Sequence, residues 1–277
     1  MGRRIDGMVV VITGASAGIG RAVAEELGPR GARLVLAARR LERLEELNAK
    51  LGGGHLCVRC NVSETGQCRE LIEAAVGRFG RIDTLVCNAG YGVVRTIADT
   101  SPAEMRRIFS TNVFGTTDCI HFALPIMARQ EPRDGWRGQV MIVSSAAGRR
   151  GLPYFGPYSA TKAAQLGLAE GLRVECRPLR IAVTSVHPIG TDTEFFDVAQ
   201  REAGAWMPGV FSRGIHQSAR RVAREMVRGI ASPVPEVWPA RAARWLVSLG
   251  TLMPGVVDRV MGRFRTELER EVKPSSS

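Results

Sequence analysis

Lysine is almost absent from this chain. Of 277 residues only Lys50, Lys162 and Lys273 carry an ammonium, and every other basic side chain apart from histidine is arginine. Other absences exclude whole classes. No internal repeat, no Pro- or Ser-rich linker and no low-complexity tract interrupts the chain before the short polar end "KPSSS", which leaves one domain with a C-terminal extension. No apolar run can span a bilayer: the longest uncharged stretch of the tail, Trp245 to Val257, is too short and contains Gly250 and Pro254. "MGRRIDG" runs directly into "MVVVITG", which leaves no room for a leader peptide, and Asp6 breaks the myristoylation pattern. The expectation is a cytoplasmic protein, with peripheral membrane contact through the tail as a second reading. Cys57 and Cys60 form a CxxC, but no second CxxC and no His at ligand spacing accompany it. Residues three apart on a strand also face opposite ways, so no metal site is expected and the six cysteines read as thiols.

The net charge of +11 and the pI near 10.2 admit acidic partners: nucleic acid, an anionic membrane or a phosphorylated ligand. The arginines, however, are spread along the chain and do not cluster with aromatics. A solvated basic surface is the simpler account, and no nucleic-acid partner is expected.

Short apolar runs alternate with helical patterns. Strands are expected at 8–13, 33–38, 55–60, 83–87, 139–144 and 180–186, with a short last one at 235–239. Helices are expected at about 18–28, 41–51, 64–79, 103–130 and 158–176. The strands are rich in Val, Ile and Leu with little polar alternation, as parallel strands buried on both faces require. The fold class is α/β: a doubly wound parallel sheet flanked by helices, a three-layer sandwich. Residues 1–236 form its single domain, including a substrate lid at about 189–216, and 237–277 form a helical extension. Ligands of such a sheet bind beyond the C-terminal strand ends.

The first strand end, "VVVITGASAGIG", is a strand, a glycine turn and a helix start. Gly14, Gly18 and Gly20 remove Cβ atoms so that backbone N–H groups, with Ser16 and Ile19 between them, can approach a pyrophosphate at the helix N-terminus. The second strand end, "LVLAARRLE", lacks the acid that holds the ribose 2′-hydroxyl of NAD. It offers Ala38 and then Arg39, and the nearest acid, Glu42, already lies in the next helix. Arg39 can bind a 2′-phosphate bidentately, so the expected cofactor is NADP(H).

"GPYSATKAA" places Tyr158 four residues before Lys162, on one helix face. A free tyrosine titrates near pH ~10, so an acid/base role near neutrality needs about 4 kcal/mol of help. One cation at ~4 Å in an effective dielectric of ~20 supplies about that much. The lysine in an arginine-rich chain is then intelligible.

These pieces occur together in the order of a known family. Over roughly residues 5–190 the chain resembles the short-chain dehydrogenase/reductases, with a Rossmann-like fold: "TGASAGIG", "CNAG" at 87–90, Asn112 in "STNVFG", Ser145 in "VSSAAG" and Tyr158/Lys162 in "YSATK". The resemblance implies a catalytic set of Asn112, Ser145, Tyr158 and Lys162. Tyr158 would be the acid/base, Lys162 would also hold the nicotinamide ribose, and Ser145 would hold the substrate oxygen while Ser144 faces the core. Asn112 would distort its helix, and its backbone would hold a water of the proton relay. It further implies cofactor contacts at Asn61, Val62, Asn88, Ala89, Gly90, Pro188 and Thr193. Three positions depart from the family pattern: Cys87, Asn61 and Ile189. The implied activity is NADP(H)-dependent interconversion of a carbonyl and an alcohol. A catalytically silent NADP(H)-binding regulator of the same fold is the second reading.

The segments "GYGVV" (90–94), "LPYF" (152–155) and 189–216 should wall the substrate pocket around Ser145 and Tyr158, through Tyr154, Phe195 and Trp206. Their apolar and aromatic character favours a lipid-, retinoid- or steroid-like substrate. The tail mixes Trp245, Leu246 and Leu249 with Arg241, Arg244 and Arg259, which suits a pocket cover, a subunit interface or a membrane surface. The resemblance implies a homodimer or homotetramer.

Overall fold

The computed structural model describes residues 2–192 and 217–272. Its main sheet joins β1 (Val9–Thr13), β2 (Arg33–Ala38), β3 (Leu56–Arg59), β4 (Thr84–Cys87), β5 (Gly138–Val143) and β6 (Ile181–Val186). The pair β7 (Thr191–Asp192) and β8 (Gln217–Ser218) stands apart, and β9 (Glu236–Val237) completes the main sheet. The sheet is parallel throughout, in the order β3-β2-β1-β4-β5-β6-β9. The order reverses between β1 and β4, which opens a crevice at their C-terminal ends.

Alternation along each strand divides the apolar side chains between two cores. Val10 and Ile12 of β1 pack with Leu34 and Leu36 of β2 on one face, under α1 (Gly18–Leu27) and α2 (Leu41–Lys50). Val11 and Val35 pack on the other face, under α3 (Thr65–Phe79). Further along the chain come α4 (Pro102–Phe109), α5 (Gly115–Arg129) and α6 (Gly156–Cys176), then α7 (Ala219–Ala231), α8 (Arg241–Leu252) and α9 (Pro254–Val272). Helices α5 and α6 cover the second face, and α7 joins α1 on the first through Val222, Met226 and Ile230. Cys57 packs on the first core and Cys60 on the second. Their opposite facing is the strand geometry, and no metal-binding cluster occurs among the described residues.

The expected single helix at 103–130 is two helices. Ser101 caps α4 with a reciprocal Ser101/Glu104 box, and Ser110–Phe114 then form a π turn before α5 begins. Such a turn widens the backbone ladder by one residue and occurs mostly at functional sites.

Candidate active site

The crevice is a cleft of about 570 Å³ that runs from the glycine turn past the ends of β4 and β5 to the C-terminal helices. At its first end the glycine turn is built on close approach. A Cβ on Gly14 would sit 2.9 Å from the Ala89 Cα, and one on Gly20 would sit 2.5 Å from the Gly14 carbonyl oxygen. Gly14 also has φ 69°, in the left-handed region. Asn88 fastens the turn: its Nδ2 donates to the Thr13 carbonyl at 3.0 Å and to that of Gly14 at 3.3 Å. Thr13 Oγ1 in turn accepts from the N–H groups of Asn88 and Ala89 at 3.0 and 3.1 Å. The N-cap of α1 is Ala17, whose side chain offers the first-turn N–H groups no partner. A side-chain-free turn, an uncapped helix start and flanking arginines form a donor set that fits a dinucleotide phosphate. Ser16, Gly18 and Ile19 line the same wall.

Arg39 and Arg40 both line the cleft beyond β2, as do Asn61 and Val62 beyond β3. Arg39 is exposed, whereas Arg40 is half-buried and donates from its guanidinium to Ser16 Oγ at 3.2 Å. Sequence reasoning selected Arg39 and passed over Arg40. The side-chain direction of two adjacent arginines after a strand depends on tertiary contacts that no local pattern carries. The Asn61 main-chain N–H donates to Gln67 Oε1 at 2.8 Å, which holds this end of the cleft to α3. Cys87 faces the second core, away from the cleft. Its departure from the family pattern is therefore a packing matter.

At the chemical end, Ser144 and Ser145 leave β5 in opposite directions. Ser144 is buried and donates to the Lys162 carbonyl at 2.8 Å. Ser145 opens to the cleft beside Tyr158, close enough to favour the charged form of the tyrosine. Lys162 lies beneath them. Its Nζ donates to the Val143 carbonyl and to Gln165 Oε1, each at 2.8 Å, and sits 5.6 Å from the centroid of the Tyr158 ring. Burial pushes Tyr158 up to about 12, against the influence of Ser145, and pushes Lys162 down to about 7. The sequence arithmetic expected the ammonium to draw the tyrosine toward neutrality. In the protein alone the desolvation of both groups outweighs that attraction, and the Lys162 protons are directed at carbonyl oxygens.

Asn112 lies at the centre of the π turn and is fully buried. Its side chain accepts from the Tyr91 N–H at 3.0 Å and donates to the Tyr91 carbonyl at 2.9 Å and to Thr161 Oγ1 at 3.0 Å. Thr161 Oγ1 then donates to the Tyr158 carbonyl at 2.7 Å. Asn112 thereby ties the loop after β4 to the helix that carries Tyr158 and Lys162.

The outer wall is apolar: Tyr91, Leu152, Phe155, Ile189, Leu246 and Met261. Tyr154 was expected among them. The left-handed turn at Tyr154, with φ 64°, instead puts Leu152 and Phe155 on the cleft and Tyr154 off it. The Tyr154 carbonyl accepts from the Arg95 N–H at 2.7 Å. Pro188 also lines the cleft, next to Ser145, whose Oγ donates to the Pro188 carbonyl at 3.3 Å. Thr193, Phe195 and Trp206, with most of the expected lid, lie outside the described residues. The C-terminal helices supply a further wall, the pocket cover that the sequence left open beside a subunit interface or a membrane surface. One face of α8 and α9 brings Leu246, Val247, Gly250, Val257 and Met261 onto the cleft, and Asp258 pairs with Arg150. No helix among the described residues is long and apolar enough to cross a membrane.

The short chain dehydrogenase family model matches residues 8–203. The chain belongs to the short-chain dehydrogenase/reductase family. Among curated relatives, 11-beta-hydroxysteroid dehydrogenase-like 2 of Arabidopsis thaliana is 30% identical over 263 residues, covering 93% of this chain and 81% of the relative. Dehydrogenase/reductase SDR family member 7B of Bos taurus is 32% identical over 279 residues, covering 96% and 84%. The match to 11-beta-hydroxysteroid dehydrogenase-like 4A of Arabidopsis thaliana is 37% identical over 190 residues, covering 67% of this chain but only 61% of that relative. Among solved structures, a family member from Burkholderia phymatum in complex with NAD has a TM-score of 0.80 at 26% identity, covering 99% of both chains. An alcohol dehydrogenase from Thermococcus sibiricus complexed with 5-hydroxy-NADP has a TM-score of 0.71 at 28% identity, covering 83% of this chain and 95% of that one.

Proposed function

We propose that this protein is an NADP(H)-dependent oxidoreductase that interconverts an alcohol and a ketone or aldehyde on an apolar, lipid- or steroid-like substrate. The observation that carries the reading is that Ser145, Tyr158 and Lys162 line one cleft with the glycine turn and the apolar wall. The nicotinamide, when bound, supplies or takes up the hydride. The chain supplies the rest. Ser145 orients the substrate oxygen, and the Tyr158 hydroxyl gives that oxygen its proton in the reductive direction and recovers it in the oxidative one. Lys162 holds positive charge below the tyrosine, and Asn112 keeps both residues of α6 in place. A wall of Leu152, Phe155, Leu246 and Met261 excludes water and favours an apolar substrate. The curated relatives described as hydroxysteroid dehydrogenase-like support that substrate class.

The preference for NADP(H) is supported by the absence of an acid after β2 and by Arg39 and Arg40 on the cleft beside Ser16. Screening NADPH oxidation against ketones, aldehydes and lipid carbonyls identifies the substrate. With that substrate, Tyr158→Phe should lower kcat about 100- to 10,000-fold and leave NADPH affinity unchanged. Turnover equal to wild type would sink the assignment. Arg39→Ala and Arg40→Ala should each weaken NADPH about tenfold or more, since a charge-assisted hydrogen bond is lost, with no effect on NADH. Equal weakening of both nucleotides would remove the 2′-phosphate role.

A further inference from the structure

Gln165 is a long polar side chain with no exposure at all, buried between α5 and α6. Its amide bridges two members of the site. Oε1 accepts from Lys162 Nζ at 2.8 Å, and Nε2 donates to the Asn112 carbonyl at 2.6 Å and to Thr116 Oγ1 at 2.9 Å. Thr116 Oγ1 itself donates to the same Asn112 carbonyl, at 2.8 Å. The amide has one workable orientation, because an ammonium can only donate and a carbonyl can only accept. Two side chains, Gln165 and Thr116, thus meet at that carbonyl within the π turn.

We propose that Gln165 is the positioning residue for Lys162, a built-in bridge from the ammonium to the Asn112 carbonyl. The proposal rests on the catalytic reading of Tyr158 and Lys162 given above. Its consequence is chemical as well as geometric. A carboxamide neither gives nor takes a proton near neutrality, so the bridge fixes where the ammonium points and relays no proton itself. On its cleft side Nζ lies near Gly90 and the tyrosine ring.

Few titratable groups surround Nζ. On its own helix there is Tyr158; β5 presents the Val143 carbonyl, and the π turn and α5 present Asn112 and Thr116. From β4 the Cys87 thiol approaches the Thr116 carbonyl at 4.0 Å, and burial holds it protonated. Burial alone lowers Lys162, with no carboxylate acting on it.

The scarcity of lysine makes the test direct. With ¹³C-labelled lysine the full chain carries three Cε signals, from Lys50, Lys162 and Lys273, and Lys162→Met identifies the one of interest. In Gln165→Glu, a carboxylate at ~3 Å should move the Lys162 titration upward by about one to three pH units. In Gln165→Leu, the lost acceptor should move it downward. With a working substrate, the lysine-dependent limb of the kcat/KM pH profile should shift in the same directions, and Gln165→Leu should lose about 10- to 100-fold in kcat/KM as the ammonium loses its orientation. If Lys162 titrates at its wild-type pH in folded Gln165→Glu, Gln165 is only core filling and the proposal fails. The isosteric Glu variant keeps the test open should Gln165→Leu not fold. The titration needs no substrate. A shifted Lys162 in a protein that turns over no carbonyl would therefore sink the oxidoreductase reading and keep the Gln165 assignment.

Discussion

Among the described residues two basic side chains, an arginine and a lysine, are buried at opposite edges of the same sheet, and they are treated differently. Arg3 lies under the N-terminal edge and Lys162 under the C-terminal edge, 5% and 4% exposed. Arg3 donates to acceptors in four places: Gln139 Oε1 at 2.7 Å, the Asp83 carbonyl at 2.7 Å, Thr84 Oγ1 at 3.2 Å and the Ile230 carbonyl at 3.4 Å. Asp83 and Asp134 support its charge, so burial lowers it only to about 10 and it stays protonated near neutrality. Lys162 has no acid beside it, is lowered to about 7, and has two protein acceptors for its three N–H groups. One edge uses a guanidinium as a permanent cross-link between the N-terminal arm, β4, β5 and α7. The other holds an ammonium whose proton is nearly balanced, facing a cleft. Arginine suits the first task because it does not deprotonate and presents a rigid fork; lysine suits the second because it titrates when buried.

Arg3→Met should have the largest effect on folding. The change leaves buried acceptors on Thr84 and Gln139 without a donor and removes one of the two donors to the Asp83 carbonyl, for a loss of about 2–4 kcal/mol. Arg4, exposed on the same arm, is the control, and Arg4→Met should stay within about 0.5 kcal/mol of wild type. Urea unfolding reads both. The kcat of folded Arg3→Met should equal that of wild type, because the arm lies at the edge away from the cleft. A fall in kcat without a fall in stability would erase the division between the two edges.

The contrast also explains what was legible from sequence. The six long strands fall within a residue of their expected limits because a strand buried on both faces must be a continuous apolar run. The glycine turn, Ser145, Tyr158 and Lys162 were legible because each is encoded locally, at a strand end or at helical spacing. The distortion at Asn112 was expected only from the family resemblance; the residue pattern of 103–130 reads as one helix, and the structure places the break at Ser110–Phe114. Arg3 was hidden for a related reason: an arginine near a terminus reads as solvated, and only the sheet edge supplies its acceptors. Gln165 sat in plain view, three residues after Lys162 and seven after Tyr158, on the same helix face. A glutamine on a face that otherwise turns inward was the available signal. The cover formed by α8 and α9 depends on how the end of the chain returns over the cleft, which residue periodicity does not record.

A smaller effect sharpens the comparison from the other edge. Lys162 titrates near its ordinary 10.5 in the unfolded chain and at about 7 in the folded protein. Between those values the unfolded chain binds a proton that the folded one has given up, so raising the pH favours folding, by at most about 1.4 kcal/mol per pH unit. Below the folded value the cost of burying the ammonium is present in full, and above the unfolded value it is gone. Tyr158 runs the opposite way, but only between 10 and about 12, where the folded protein keeps the proton longer. The nucleotide-free protein should therefore be compared with Lys162→Met from pH 6.5 to 8.5 by urea unfolding. The stability of wild type relative to the variant should be lowest at the acid end and should rise steadily toward the alkaline end, while Arg3→Met should run parallel to wild type across the same range. Parallel curves for Lys162→Met would mean that Lys162 keeps its proton through the whole window, as Arg3 does, and the two edges would then differ in geometry alone.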